Sequence, residues 1–309
     1  MARVFVTSPL PGAALERLAA HHDVAIWREE RRPAPSELRE RVQGAEGLLC
    51  LLGDRIDAAL LGAVPGLRAI ANYAVGVDNV DLAAAAARGI AVGNTPDVLT
   101  DSTADLAIAL MLAVARRLPE GLAAVRDGSW AAWSPDWLLG RDVSGATLGI
   151  VGMGRIGQAV ARRAEGFGME VLHSGRGQGS GIALAEMLPR CDFVSLHCPL
   201  TAETRGLMGA PQLAAMRAGA YLVNTARGPI VDQVALAHAL RTGAIAGAAL
   251  DVTEPEPLPP DDPLLGAPNL VVLPHLGSAT MRTRGAMADR AVDNLLAALA
   301  GEPMPYGVG

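Results

Sequence analysis

A chain of 309 residues has material for about two domains with sizeable cores. Half of it is apolar and 19% is charged, which excludes bulk disorder. The 26 basic and 32 acidic residues (net −6) and the 3% aromatic content exclude a cationic or base-stacking nucleic-acid surface and an anionic-membrane surface.

All 26 basic residues are arginine. Schiff-base chemistry, a pyridoxal phosphate anchor and a Walker phosphate loop are therefore excluded, since each needs a lysine.

Along the chain, short β-rich apolar runs alternate with Ala/Leu-rich helical stretches. The opening Met-Ala-Arg-Val-Phe-Val-Thr reads as a strand without a secretory apolar core. Strands are predicted at 4–7, 24–27, 47–52, 67–71 and 90–92, with helices at 13–20, 36–43 and 58–63. Asn94-Thr95-Pro96-Asp97 ends this series, and a helix at 102–117 leads onward. Its apolar run 106–115 is ten residues long, too short to cross a bilayer.

The second series has strands at 147–151, 170–172, 193–196, 220–224, 246–250 and 270–273, with helices at 156–167 and 231–241. Residues 175–181 read as a Gly-rich loop, and 255–268, with six prolines, as another. The closing helix, 280–299, could pack on either series. Such alternation predicts an α/β fold of two doubly wound parallel-sheet domains, Rossmann or flavodoxin-like. The spacing of Cys50, Cys191 and Cys198 fits no disulfide framework or zinc site, and no cluster has metal-ligand spacing. A cytoplasmic protein without a metal is expected.

Gly152, Gly154 and Gly157 form G-x-G-x-x-G between an apolar strand and a helix opened by Arg155 and Ile156. The first glycine makes the tight turn, the second admits a pyrophosphate, and the third lets helix and strand pack closely. Phosphates then meet the helix N-terminus, where free N–H groups and the dipole favour anions. The next strand runs into His173-Ser174-Gly175-Arg176 with no carboxylate to bind a ribose 2′-hydroxyl. Gly175 leaves space, Ser174 can donate a hydrogen bond and Arg176 offers a charge for a 2′-phosphate. NADP is expected over NAD.

Three more segments fall at strand ends, where open α/β sheets place their ligands. They are Asn224-Thr225-Ala226-Arg227-Gly228, Asp251-Val252-Thr253-Glu254-Pro255-Glu256-Pro257 and Pro274-His275-Leu276-Gly277-Ser278-Ala279-Thr280. An Arg, a Glu and a His gathered there could bind a carboxylate, tune an imidazole and move a proton.

With these blocks, Ala71-Asn72-Tyr73-Ala74-Val75-Gly76-Val77-Asp78 and His197-Cys198-Pro199-Leu200-Thr201, the sequence resembles the D-isomer-specific 2-hydroxyacid dehydrogenase family, glyoxylate/hydroxypyruvate reductase branch, over nearly its whole length. The resemblance implies catalytic roles for Arg227 (substrate binding), Glu256 (acidic partner) and His275 (acid/base). Glu254 is the competing carboxylate. A guanidinium fork can hold the planar 2-oxoacid, and a carboxylate beside His275 favours its protonated, donating form.

The resemblance further places Asp251 at the nicotinamide carboxamide and the Val75 and Gly76 amides on the substrate carboxylate, with Leu52 and Gly53 lining the same cleft. Cys198 is expected as an apolar wall for the adenine. Pro199, Thr204, Thr225, Ala226, Gly277 and Thr100 complete the expected cofactor contacts.

The implied architecture is a discontinuous substrate domain, residues 1–97 with 280–309, and a dinucleotide domain, 98–279, about an active-site cleft. The activity implied is hydride transfer from NADPH, or NADH, to a small 2-oxoacid, most simply glyoxylate or hydroxypyruvate. The alternatives are a dehydrogenase for another D-2-hydroxyacid (2-ketogluconate, phenylpyruvate or phosphoglycerate type) and a dinucleotide-sensing binding protein. Finally, Trp130, Trp133 and Trp137 concentrate three of four tryptophans in the polar stretch 128–141. Such residues on a loop suggest an interface, and the resemblance implies a homodimer in which Trp137 reaches the other subunit's active site.

Overall fold

The computed structural model describes residues 1–177 and 181–308. In chain order the elements are β1 (Arg3–Val6), α1 (Ala14–Ala19), β2 (Asp23–Ile26), α2 (Pro35–Arg41), β3 (Gly47–Leu51), α3 (Ala58–Ala63), β4 (Ala69–Tyr73), α4 (Leu82–Ala86), β5 (Ala91–Gly93), α5 (Thr100–Ala115) and α6 (Leu118–Asp127). There follow β6 (Thr147–Met153), α7 (Arg155–Glu165), β7 (Glu170–Gly177), α8 (Leu184–Met187), β8 (Phe193–Leu196), α9 (Ala210–Ala215), β9 (Tyr221–Asn224), α10 (Gln233–Thr242), β10 (Gly247–Leu250), β11 (Leu270–Val272) and α11 (Met281–Leu299).

The chain divides into two compact units, Met1–Leu99 with Ser278–Gly309, and Thr100–Gly277. Each holds one parallel sheet, ordered β2-β1-β3-β4-β5 in the first and β11-β10-β9-β8-β6-β7 in the second. Both are doubly wound, and in each the order reverses beside the unit's first strand, so the strand ends there form the ligand-receiving edge.

In the first unit, alternate strand residues feed two cores. Phe5, Leu48, Cys50 and Ile70 face α2, α3 and α4. Val4, Val6, Leu49 and Ala71 face Leu18 of α1 and Met287, Val292 and Leu295 of α11. This period of two is what a sheet covered on both faces requires. The closing helix thus belongs to the unit that also holds the N-terminal strand. After it, Val308 N–H donates to Val92 O (2.7 Å) and Asn94 N–H to Tyr306 O (3.1 Å).

In the second unit, Leu148, Ile150, Phe193 and Val223 pack with α5 and α7, while Val194, Leu196, Leu222 and Leu250 pack with α9 and α10. Side-chain caps set several helix starts: Asp57 accepts from Leu60 N–H, Asp232 from Val234 and Ala235 N–H, and Thr280 from Thr283 N–H.

Two expectations need correction. The Gly-rich run at 175–181 does not begin as a loop. β7 continues to Gly177, because pairing with β6 (Val151 with Ser174, Met153 with Gly177, across an irregularity) outweighs the low strand preference of glycine. The long helix also stops earlier than expected. α5 ends at Ala115, Arg117 turns left-handed at φ 53°, and Pro119 sits in the first turn of α6, where its missing N–H costs nothing.

Candidate active site

The dinucleotide end of the second unit rests on backbone approach. Gly152 has φ 95°, and a Cβ there would lie 2.7 Å from Cys198 N. A Cβ on Gly157 would overlap the Gly152 carbonyl oxygen, whereas one on Gly154 would meet open space. The first and third glycines are therefore closed by the fold, and the second leaves room for a phosphate. Gly154 also caps α7 without any side-chain acceptor for the helix amides. These features fit a dinucleotide.

At the end of β7, Ser174 is buried and Gly175 takes φ 98° against Gly152. The side chain of Arg176 and all of residues 178–180 lie outside the described residues. Thr204 Oγ1 donates to Pro199 O (2.7 Å) and accepts from Thr201 N–H (2.8 Å), shaping the loop after β8. His197, expected to pack at its strand end, bonds through Nε2 to Ser195 Oγ (2.8 Å) and lies 3.4 Å through Nδ1 from Thr225 Oγ1. Desolvation holds its pKa down to about 4. Burial raises the half-buried Cys198 thiol.

The structure brings the three nominated strand-end segments together. Asp251 N–H donates to Asn224 O (2.9 Å) and His275 N–H to Asp251 O (2.9 Å), linking the ends of β9, β10 and β11. Asn224, fully buried, closes the Arg227 loop, its Oδ1 accepting from Ala226 N–H (3.0 Å) and its Nδ2 donating to Arg227 O (2.9 Å). Gly228 lets that loop press on the next, because a Cβ there would overlap the Thr253 backbone. Arg227 is half-buried, with Nη1 donating to Ala226 O (2.8 Å).

His275 Nδ1 lies 3.0 Å from Glu256 Oε2, and Glu256 Oε1 accepts from Thr253 N–H (3.1 Å). Glu254 instead pairs with exposed Arg205 at 3.2 Å. Burial pushes the Glu256 carboxyl up, but the His275 ring, the Thr253 amide and the Arg227 charge overcome it and leave it below its usual 4.5. A carboxylate at hydrogen-bond distance from an imidazole nitrogen orients the ring.

His275 itself has φ 57°, a strained conformation for a residue with a Cβ. Asp251 holds it there. Its Oδ1 accepts from Leu276 N–H (2.6 Å) and its Oδ2 from Gly277 N–H (2.8 Å), the residue being 1% exposed. Burial raises the Asp251 carboxyl despite those two amides and the nearby imidazole. Both oxygens, expected at a carboxamide, are thus engaged in fixing the His275 turn. Thr100 opens α5, whose Thr103 side chain lines Gly277.

In the first unit, Val75 and Gly76 follow β4, and Leu52 and Gly53 follow β3. Asn94 Nδ2 donates to Val75 O (2.7 Å) and Asn72 Nδ2 to Gly76 O (2.7 Å). Their carbonyls are thereby fixed, while among the described residues neither amide has an acceptor, a backbone concavity suited to an anion. Asn79 Nδ2 ties Leu51 O and Asp54 O (3.1 Å each), and buried Asp54 accepts from Thr7 Oγ1 and Leu51 N–H. Sequence reasoning missed these supports. Asp54 lies three residues past the end of β3, a placement that could have flagged it; Asn72 and Asn79 carried no local signal.

Trp130, Trp133 and Trp137 are 54%, 80% and 42% exposed, beside exposed Leu118, Leu122 and Val125 of α6. Among the described residues no three His, Cys, Asp or Glu side chains could hold a metal, and no helix is long and apolar enough to cross a membrane.

A switch-point glycine cradle, together with an imidazole–carboxylate pair and an arginine on adjoining strand ends of the same sheet, defines a dinucleotide-dependent oxidoreductase. Comparison with known proteins narrows this. Residues 108–277 match the D-isomer specific 2-hydroxyacid dehydrogenase, NAD binding domain. The chain is 49% identical over 313 residues to a glyoxylate reductase of Korarchaeum cryptofilum, covering 98% of this chain and 94% of that protein. Among solved structures it is similar to the TT0316 protein of Thermus thermophilus (TM-score 0.93, 53% identity, 99% and 100% covered). It is also similar to an NADPH-dependent glyoxylate/hydroxypyruvate reductase of Sinorhizobium meliloti solved with NADP and malonate (TM-score 0.87, 38% identity, 100% and 97% covered). The chain belongs to the D-isomer specific 2-hydroxyacid dehydrogenase family and is an NAD(P)-dependent 2-hydroxyacid dehydrogenase.

Proposed function

We propose that the chain reduces glyoxylate and hydroxypyruvate with NADPH preferred over NADH, as a cytoplasmic homodimer. The observation that carries the reaction is the 3.0 Å pairing of His275 Nδ1 with Glu256, on strand ends shared with Arg227. Bound NADPH supplies the hydride. Arg227 holds the 2-oxoacid carboxylate by its guanidinium fork; in the first unit, the amides of Val75 and Gly76 are suited to a carboxylate. His275, with Nδ1 on Glu256, presents Nε2 and gives its proton to the oxygen that becomes the alcohol. Residues 1–97 with 280–309 form the substrate domain in this scheme, and 98–279 the dinucleotide domain.

The preference for NADPH is supported by the lack of a carboxylate at residues 173–176 and by the printed cofactor of the Sinorhizobium relative. The homodimer is supported by the exposed tryptophan arm and α6 face, an apolar patch of the kind that marks interfaces, with Trp137 reaching the other subunit's substrate. Steady-state oxidation of NADPH and NADH with a panel of 2-oxoacids tests the activity. Turnover of neither glyoxylate nor hydroxypyruvate, or a preference for NADH, would overturn the corresponding part. A monomer by light scattering would remove the dimer.

A further inference from the structure

Gly53 has no side chain, and the space a Cβ would need is filled by the guanidinium of Arg32, twenty-one residues earlier in sequence. Arg32 Nη1 donates to Gly53 O at 3.3 Å. Its neighbour Arg31 is committed elsewhere, forked onto Glu37 at 2.6 and 2.7 Å. For Arg32, by contrast, no carboxylate among the described residues comes within 4 Å. A guanidinium carries five N–H donors, and the bond to Gly53 O takes up one of them at the end of β3. Nearby charge comes from buried Asp54, whose carboxyl Arg32 pulls down against the larger upward effect of burial.

The Gly53 loop belongs to the same rigid edge as the Val75–Gly76 amides. Asn79 Nδ2 fixes Leu51 O and Asp54 O on either side of Gly53 and also reaches Asn72 Oδ1 (3.1 Å), while Asn72 Nδ2 fixes Gly76 O. A substrate carboxylate received by those amides leaves its other end to find what the β3 loop offers, and that loop offers a guanidinium.

We propose that Arg32 is a specificity-determining residue that recognises an oxygen on C3 of the 2-oxoacid, a hydroxyl or a carboxylate. Three-carbon substrates so substituted are therefore favoured over glyoxylate, which has no C3. The assignment rests on the 2-oxoacid reductase function proposed above. Arg32 is itself exposed, so water screens part of the contact, and the discrimination expected from its charge-assisted bond is moderate.

The test measures kcat and KM of wild type, Arg32→Met and Arg32→Lys with NADPH and glyoxylate, hydroxypyruvate or ketomalonate, alongside Tm. Arg32→Met should lower kcat/KM about tenfold for hydroxypyruvate and more for dianionic ketomalonate. Glyoxylate should fall by less than about threefold on the same grounds. The loss should appear mainly in KM, and Arg32→Lys should recover part of it. Equal losses for all three substrates with a lowered Tm would make Arg32 a prop for the Gly53 carbonyl, and no loss would remove it from the site. Either result overturns the assignment while leaving the reductase standing. A wild type inert towards all three overturns the reductase function and this assignment together.

Discussion

His197 supplies a sharp test of how the second unit responds to acid. Its ring sits between Ser195 and Thr225, and desolvation lowers its pKa from 6.5 to about 4. A histidine that is harder to protonate when folded lends stability that is complete above 6.5 and is lost as pH falls towards 4. The separation of the two values corresponds to about 3 kcal/mol, of which about 2 kcal/mol is gone by pH 5. For a domain of this size that is a fall in Tm of roughly 4–8 °C between pH 7.5 and pH 5. His197→Gln keeps a hydrogen-bonding side chain for Ser195 and Thr225 but cannot titrate. Calorimetric melts of both proteins across that range should diverge, the variant having the shallower slope. The carboxylates that titrate below 4.5 are present in both and cancel in the difference. Parallel slopes would refute the argument that this imidazole is held neutral by its surroundings.

Arg227→Ala should cut kcat/KM by about two orders of magnitude or more while NADPH binding by calorimetry stays unchanged; retention of a third of wild-type efficiency would end the carboxylate-clamp role. Glu256→Gln should lower kcat at least about tenfold, since His275 loses its ionised partner. Because Glu256 ionises below its usual 4.5, the stability it lends is complete above that pH and lost as pH falls further, so the variant should show a flatter acid limb below pH 4.5; coincident limbs would contradict it. Gly157→Ala, with a Cβ overlapping the Gly152 carbonyl oxygen, should cost about 1–3 kcal/mol in denaturant melts and weaken dinucleotide binding, and an unchanged Kd would refute the packing argument. Arg176→Ala should weaken NADPH far more than NADH in binding titrations, whereas equal losses would show a loop cation.

What the sequence conveyed depended on how local each cause was. The glycine motif and the Arg227, Glu256 and His275 segments were legible because each is a short run at a strand end. The competing Glu254 was separable only in three dimensions, where Arg205 takes it and His275 takes Glu256. β7 was cut short because glycines at 175 and 177 speak against a strand, while the partner strand that decides the matter is distant in sequence. α6 was overlooked because Pro119 and Gly121 mask a helix whose Leu118, Leu122 and Val125 face solvent. Asn72, Asn79, Asn94 and Asp54 act through backbone groups up to 28 residues away, which leaves no pattern in sequence.

The placement of α11 has a consequence for biosynthesis. Its Met287, Val292 and Leu295 seal one face of the sheet that holds Val4 and Val6, so β1 waits for a helix translated only after the whole of Thr100–Gly277. Residues Thr100–Gly277 form their own sheet and both of its cores and need nothing further downstream. Vectorial synthesis therefore favours a nascent chain in which Thr100–Gly277 is finished while the preceding sheet still exposes an apolar face. In that interval the residues of β1 and β3 are the ones most dependent on chaperones.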